Sequence, residues 1–138
     1  MQCRDITLAT EGFCHVIDLT EHAAGFVRQA QPGQGLLNLF IPGSTAALTT
    51  IEFESGAVDD LRQAIQRLAP QDMGYAHDAR WGDGNGFSHV RAALLGPSLT
   101  VPIRDNRLLL GTWQQIVLID FDNGQRDRRI TMSILGSQ

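Results

Sequence analysis

The chain has 138 residues and a net charge of −4, and 43% of its residues are hydrophobic and 19% charged. These values are typical of one globular domain with a buried core, and they disfavour generic binding to nucleic acid or to an anionic membrane. The 11 basic side chains are all arginine, which excludes a Schiff-base lysine and a P-loop lysine.

The sequence predicts neither secretion nor membrane insertion. No charged and then apolar leader opens it, and no apolar run approaches the roughly 18 residues of a membrane span. We therefore expect a cytoplasmic protein. Cys3 and Cys14 are the only cysteines and form no CxxC pair, so buried free thiols are expected in preference to a disulfide.

The first half of the chain predicts four strands and two helices. In chain order these are strands over residues 4–10 and 13–19, a helix over 21–30, strands over 35–41 and 46–53, and a helix between Ser55 and Pro70. The turn at residues 11–12 predicts a hairpin between the first two strands. Asp18 or Thr20 is expected to cap the first helix, and Ser55 the second.

The second half opens on a segment, residues 71–87, that predicts a long loop rich in glycine and aromatic residues. Ser88 is expected to cap a short helix over 89–95. Strands follow over 99–103, 108–110, 114–121 and 129–135, with a turn at 122–124 between the last two. The elements predict a single α+β domain over residues 1–138, with a large, mostly antiparallel sheet and two or three helices.

Residues 80–89, with the sequence RWGDGNGFSH, place a carboxylate, an amide and an imidazole among three glycines. Alternating glycines cost backbone entropy, which favours a loop that bends sharply or approaches a ligand closely. Asp, Asn and His side chains bind metal ions and orient phosphates. The alternative is a chain of Asx turns that carries a surface histidine.

Four motifs resemble the YjbQ-like family: PGSTAALTTIE at 42–52, WGDGNGFSH at 81–89, LLGPS at 94–98 and LGTWQQ at 110–115. They occur in the same order across nearly the whole chain, and the GST at 43–45 resembles a Gly-Ser-Thr subgroup. Members of the family are described as secondary thiamine-phosphate synthases. The resemblance implies a compact α+β homotrimer with a polar cleft that holds a metal ion or an anion.

The resemblance also implies which residues form the site. The implied catalytic residues are Glu52, Asp83 and His89, and the implied metal ligands are these three and His77. For substrate binding the resemblance implies Asn85 and Trp81, and the chemistry of the residues adds Ser44, Thr45, Gly84, Gly86 and Ser88 as candidates. Many family members have a polar ligand where this chain has Gly43 and Phe87, so two potential ligands are absent here.

The chemistry of these residues suits a small phosphorylated substrate. His89 would lie at a helix N-terminus, where the dipole attracts phosphate and keeps an imidazole neutral. Asp83 and Glu52 would hold a divalent ion, with magnesium or zinc as the candidates. The guanidinium groups expected to meet phosphate are those of Arg80, Arg91 and Arg104. The remaining histidines, His15 and His22, are assigned to the fold.

The leading hypothesis is therefore a thiamine-phosphate-synthase-type enzyme that joins a pyrimidine pyrophosphate to a thiazole phosphate. The second hypothesis is a non-catalytic trimeric protein that binds a metal ion or a phosphorylated metabolite. The third is a metal-dependent phosphohydrolase. A hydrolase triad is poorly supported, because Ser44 and Thr45 have no base beside them in the sequence.

Overall fold

Four helices and eight strands make up the computed structural model, which describes residues 1–136. In order they are β1 (Gln2–Thr10), β2 (His15–Asp18), α1 (Thr20–Ala30), β3 (Gly35–Phe40), β4 (Ala46–Ile51), α2 (Ser55–Leu68), α3 (Ala76–Trp81), α4 (Gly86–Leu95), β5 (Ser98–Arg104), β6 (Arg107–Leu108), β7 (Gln115–Asp120) and β8 (Arg126–Gly136). The predicted α+β class is confirmed. The predicted loop at 71–87 contains α3 and the start of α4, which raises the number of helices. Residues 137 and 138 of the predicted domain lie outside the described residues.

The strands form two antiparallel sheets where one large sheet was expected. The strand order is β1-β8-β3-β5-β6 in the five-stranded sheet and β2-β7-β4 in the three-stranded sheet. The hairpin predicted at residues 11–12 is wrong, because β1 and β2 lie in different sheets. The connection turns through left-handed backbone at Phe13 and Cys14, with φ of 52° and 67°. The predicted turn at 122–124 also carries the chain from one sheet to the other.

Strand β7 lies at the centre of the molecule and buries both of its faces. Ile116 and Leu118 pack with α1 and the five-stranded sheet in one core cluster. Val117 and Ile119 alternate with them and pack with α2 and α4 in a second cluster. Because side chains of a strand alternate between its faces, this continuous apolar run joins the two cores. The site described below lies at the carboxyl end of β7.

The helix starts differ from the predicted ones. Glu54 caps α2 with its two carboxylate oxygens, which accept from the backbone N–H groups of Gly56 at 2.7 Å and Ala57 at 2.9 Å. These hydrogen bonds lower the pKa of Glu54. Ser55 was predicted as the cap and is instead the first helical residue. Asn85 is the N-cap residue of α4, so the predicted cap Ser88 lies inside the first turn, where its hydroxyl donates to the Phe121 carbonyl.

The two cysteines are free, as predicted, but only Cys14 is buried. Burial raises the pKa of the Cys14 thiol, and the guanidinium groups of Arg91 and Arg62 oppose that shift. Cys3 is exposed on β1, at the edge of the five-stranded sheet, which corrects the prediction of two buried thiols. Among the helices of residues 1–136, none has the length and apolar character that a membrane span requires.

Candidate functional site

A cluster of two histidines and two aspartates lies where α3 and α4 meet. We call His77, Asp78, Asp83 and His89 the histidine–aspartate cluster. His77 Nδ1 lies 3.3 Å from Asp83 Oδ1 and 3.6 Å from Asp78 Oδ1. The rings of His77 and His89 lie with their centroids 4.5 Å apart and their planes tilted by 47°. The structure thus brings together three of the four predicted metal ligands.

The glycines between the two helices make this meeting possible. Gly82 ends α3 in the left-handed conformation, with φ of 72°. Gly86, the first residue of α4, lies against Tyr75, and a Cβ atom added there would stand 2.5 Å from Tyr75 Cβ. The alternating glycines are therefore explained by a reversal of the chain and by tight helix packing.

Replacing Gly86 with Ala is expected to lower the free energy of unfolding by about 1–3 kcal/mol, the usual penalty of overpacking. The new methyl group would overlap Tyr75 and separate α3 from α4. Gly74→Ala is the matched control, because nothing lies within 4 Å of a Cβ atom at that position. Urea unfolding measures both variants. Equal stabilities would show that the close approach of Gly86 to Tyr75 does not constrain the chain.

Asp78 caps α4 across space, a role that its position in the sequence did not reveal. Its Oδ1 accepts from the Gly86 N–H at 2.8 Å. The N–H groups of Ser88 and His89 donate to the Asn85 carbonyl at 2.9 and 3.4 Å. This helix start therefore has most of its N–H groups paired already, in contrast with the expectation that they receive a phosphate.

The cluster has the donor atoms of a metal site. One ligand atom from each of His77, Asp78 and Asp83 can be chosen so that all lie within 4.8 Å of one another. His77 Nδ1 is buried and has no hydrogen-bond partner among residues 1–136. One imidazole nitrogen and two carboxylate oxygens suit Zn²⁺ or Mn²⁺, whereas Mg²⁺ prefers oxygen ligands alone. The residues present fit a divalent ion of the zinc type.

A groove of about 320 Å³ runs beside the cluster. His89 and Ser44 lie on its walls. The other lining residues are Gly43, Ala46, Ala92, Ala93 and Pro97. The structure therefore places one predicted substrate-binding hydroxyl, that of Ser44, in the same groove as the predicted catalytic imidazole.

The other predicted substrate-binding side chains lie elsewhere. Thr45 and Ser88 are buried and bonded within the protein, and Asn85 is buried beside Asp122. Trp81 is 67% exposed at the end of α3, where the Arg80 guanidinium lies 5.5 Å from its ring centroid. The glycines Gly84 and Gly86 shape the loop. None of these residues is among those that line the groove in the described part of the chain.

Glu52 lies at the opposite end of β4 from the cluster. Ala46 pairs with Asp120 at the carboxyl end of β7, whereas Ile51 pairs with Gln115 at its start. The five steps from Ala46 to Ile51 separate the two ends by about 17 Å, at roughly 3.3 Å per residue. The prediction that Asp83 and Glu52 hold one ion together is therefore wrong within a single chain.

Arg91 is buried, so it cannot serve as a phosphate partner in the groove. Its Nε donates to the Ala69 carbonyl at 2.9 Å, and Nη2 donates to Gln66 Oε1 at 2.6 Å. Its guanidinium also lies 4.9 Å from the ring centroid of Phe87, which is buried. Burial lowers the pKa of Arg91. Arg91 thus secures the end of α2 against α4.

The remaining predicted basic groups are spread over the molecule. Of the other two arginines, Arg80 lies on α3 beside the cluster, and Arg104 lies in β5, paired in register with Arg107. His15 Nδ1 accepts from the Glu11 N–H at 3.0 Å, in agreement with its assignment to the fold. His22 is exposed on α1.

A buried ionic network, which sequence analysis missed, lies directly beneath the site. Arg128 Nε donates to Asp120 Oδ2 at 2.6 Å, and Arg128 Nη2 donates to Thr45 Oγ1 at 2.7 Å. Burial by itself raises the pKa of Asp120. Hydrogen bonds from Arg128, Thr10 and the Asp122 N–H lower it by more than burial raises it, so the pKa lies below its ordinary value. The alternation of Asp120 with Asp122, and of Arg126 with Arg128, was the available signal.

The chain is thus a two-sheet α+β protein with a histidine–aspartate cluster between two helices. The chain matches the family described as UPF0047 protein YjbQ-like over residues 4–137, and it belongs to this family. A UPF0047 protein of Archaeoglobus fulgidus is 36% identical over 131 residues, which are 95% of this chain and 99% of that protein. A UPF0047 protein of Methanothermobacter thermautotrophicus is 37% identical over 133 residues, which are 96% of this chain and 91% of that protein.

Solved structures agree with the fold. A hypothetical protein of Aeropyrum pernix superposes with a TM-score of 0.91 at 28% identity. The superposition covers 99% of this chain and 100% of that one. A YbjQ-like protein of unknown function from Sulfolobus solfataricus gives 0.89 at 27% identity, with 99% of each chain covered. These likenesses confirm the family and the architecture that the four sequence motifs predicted.

Proposed function

We propose that this chain is a divalent-metal-dependent enzyme of the secondary thiamine-phosphate-synthase type. The reaction is the one that the sequence resemblance implies, and the Gly-Ser-Thr motif at 43–45 is part of that resemblance. The observation that carries the proposal is the buried Nδ1 atom of His77, which makes no hydrogen bond among residues 1–136 and lies within 3.6 Å of the carboxylates of Asp78 and Asp83. An enzyme that releases pyrophosphate needs positive charge beside the leaving group, because negative charge develops there in the transition state. A metal ion bound at this cluster would supply it.

The reaction forms a bond from the thiazole nitrogen to the methylene carbon of the pyrimidine. The bond from that carbon to the pyrophosphate oxygen breaks, and pyrophosphate leaves with the electron pair. His77, Asp78 and Asp83 would hold the ion, which supplies the positive charge that stabilises the leaving group. The Ser44 hydroxyl donates to a phosphate oxygen in the groove, and His89 orients the substrate there.

A homotrimer, which the resemblance implies, is part of the same proposal. Leu36, Phe40 and Leu135 are 47%, 43% and 56% exposed on β3 and β8, which are neighbours in the five-stranded sheet. Apolar side chains in adjacent strands favour burial against another copy of the chain. They therefore support the association of this face with further copies of the chain.

Product formation after controlled metal loading tests the proposal. We expect apo protein, prepared with a chelator, to form thiamine phosphate from the two half-molecules only after Zn²⁺, Mn²⁺ or Mg²⁺ is restored. His89→Ala is expected to lower kcat/KM by about 100-fold, the order of loss that a misplacement of the substrate by about 1 Å causes. His22→Ala is the matched control, since that imidazole is exposed on α1.

Absence of product with every metal would refute the synthase proposal. Metal binding without turnover would instead favour the non-catalytic binding protein. Two observations favour that alternative: Glu52 lies at the far end of β4 from the cluster, and the side chain of Phe87 is buried and offers no ligand atom. Product formation that His89→Ala leaves unchanged would keep the reaction and remove His89 from it.

A further inference from the structure

The turn between β7 and β8 holds the segment that carries Asp83. We propose that Asn123, in this turn, is a positioning residue that fixes Asp83 at the histidine–aspartate cluster and thereby sets the affinity of the cluster for a divalent cation. This inference rests on the proposed metal site. It assigns a role to a residue that lies 40 positions away from Asp83 in the sequence.

One hydrogen bond makes the connection. Asn123 Nδ2 donates to the main-chain carbonyl of Asp83 at 2.8 Å. Asp83 stands between Gly82 and Gly84, both in the left-handed conformation. Among the described residues, no other side chain hydrogen-bonds the backbone of residues 82–84. A loop of this composition has many accessible conformations, so a single fixed donor determines much of where the Asp83 carboxylate lies.

The turn itself is rigidly attached to the interior. The Asn123 N–H donates to Asp122 Oδ1 at 2.8 Å. Asp122 is 1% exposed, and its Oδ2 accepts from Thr45 Oγ1 at 3.1 Å and from Arg126 Nε at 2.8 Å. The Asp122 N–H donates in turn to Asp120 Oδ1 at 2.9 Å. Asn123 thus transmits the position of a buried network to the exposed Asp83 loop.

The Asp122 carboxylate also contacts the start of α4, the helix that carries His89. Asn85 Nδ2 lies 3.4 Å from Asp122 Oδ1, and Asn85 is the N-cap residue of the helix that carries His89. The Asp122–Asn123 turn therefore contacts both the Asp83 loop and the start of α4. Partners of this outer kind orient metal ligands, and their loss lowers metal affinity by about 10–100-fold.

Calorimetric titration with Zn²⁺ alone tests whether Asn123 acts by positioning Asp83 or only through its effect on the local charge. We expect Asn123→Ala to bind Zn²⁺ at least about tenfold more weakly than the wild type, with an unchanged melting temperature, because Asn123 is exposed. Asn123→Asp keeps the shape but cannot donate, so it is expected to bind more weakly as well. An added negative charge acting through space would instead strengthen cation binding.

Gln125→Ala is the matched control, because it removes another exposed amide from the same turn. The absorption spectrum of the Co²⁺-loaded protein gives a second readout, which we expect to change in the Asn123 variants and not in the control. Wild-type affinity in Asn123→Ala, or tighter binding by Asn123→Asp, would overturn the inference while leaving the metal site intact. Failure of the wild type to bind Zn²⁺ would instead overturn the proposed site itself.

Discussion

Replacing Arg128 with Met is expected to lower the free energy of unfolding by about 3–5 kcal/mol, among the largest effects of any single change in this chain. The Asp120 side chain is 0% exposed and that of Arg128 only 10%. Two hydrogen bonds, at 2.6 and 3.0 Å, join the guanidinium to the carboxylate. Removing the guanidinium leaves a buried carboxylate without its cation. Urea unfolding at neutral pH measures the loss.

The exposed neighbour Arg129 provides the control for this prediction, because Arg129→Met changes the same residue type on the same strand. We expect the control to alter stability by no more than about 0.5 kcal/mol. Equal losses in the two variants would show that the buried pair contributes nothing.

The pH dependence gives a second test of the same pair. The pKa of Asp120 lies below its usual value, so its contribution to stability is complete above the unfolded-state pKa of about 3.9. That contribution is lost as the pH falls through the lower folded-state pKa. The stability difference between wild type and Arg128→Met should therefore shrink in acid. A difference that stays constant to below pH 3 would exclude an ionic origin.

The sequence predicted local elements well because each carries its own pattern. The apolar residues of α2 recur at helical spacing, and the continuous apolar run of β7 is typical of a strand that buries both faces. The pairing of strands could not be read in the same way. Local signals at 11–12 and 122–124 indicate a reversal of the chain, but not which sheet receives the next strand. The left-handed backbone at Phe13 and Cys14 gives no sequence signal, since both side chains are ordinary ones for a strand.

The candidate site was predictable where its residues are close in sequence. His77, Asp83 and His89 lie within 13 consecutive positions, and the structure brings them together. Glu52 was misplaced because alternation indicates the face of a strand and not the end at which a ligand binds. Asn123 was missed because its contact with Asp83 depends on the packing of β7 against α4. Such partners become visible only once the topology is known.

Asp78 lies beside His77 in the sequence, but its hydrogen bond to the start of α4 was not predicted, and its two roles can be separated by the choice of substituent. Its Oδ1 accepts from the Gly86 N–H, and the carboxylate belongs to the proposed metal site. Asp78→Asn retains an oxygen acceptor for α4 and loses the charge. We expect the metal-free Asp78→Asn variant to be as stable as the metal-free wild type. Its affinity for Zn²⁺ should fall by at least about 10–100-fold, the loss seen when a residue that only orients a metal ligand is removed.

The two roles also predict how Zn²⁺ changes the unfolding of each variant. Zn²⁺ at a hundredfold excess over its dissociation constant should stabilise the wild type by about 2.7 kcal/mol, and most of this gain should vanish in Asp78→Asn. Asp78→Ala removes the cap as well, so it should lose a further 0.5–2 kcal/mol, roughly, even without metal. Asp72→Asn, an exposed aspartate ahead of α3, is the control and should respond to Zn²⁺ like the wild type. An equal response in Asp78→Asn would mean that this carboxylate only caps α4, and the ion would then have to be held by His77 and Asp83 without it.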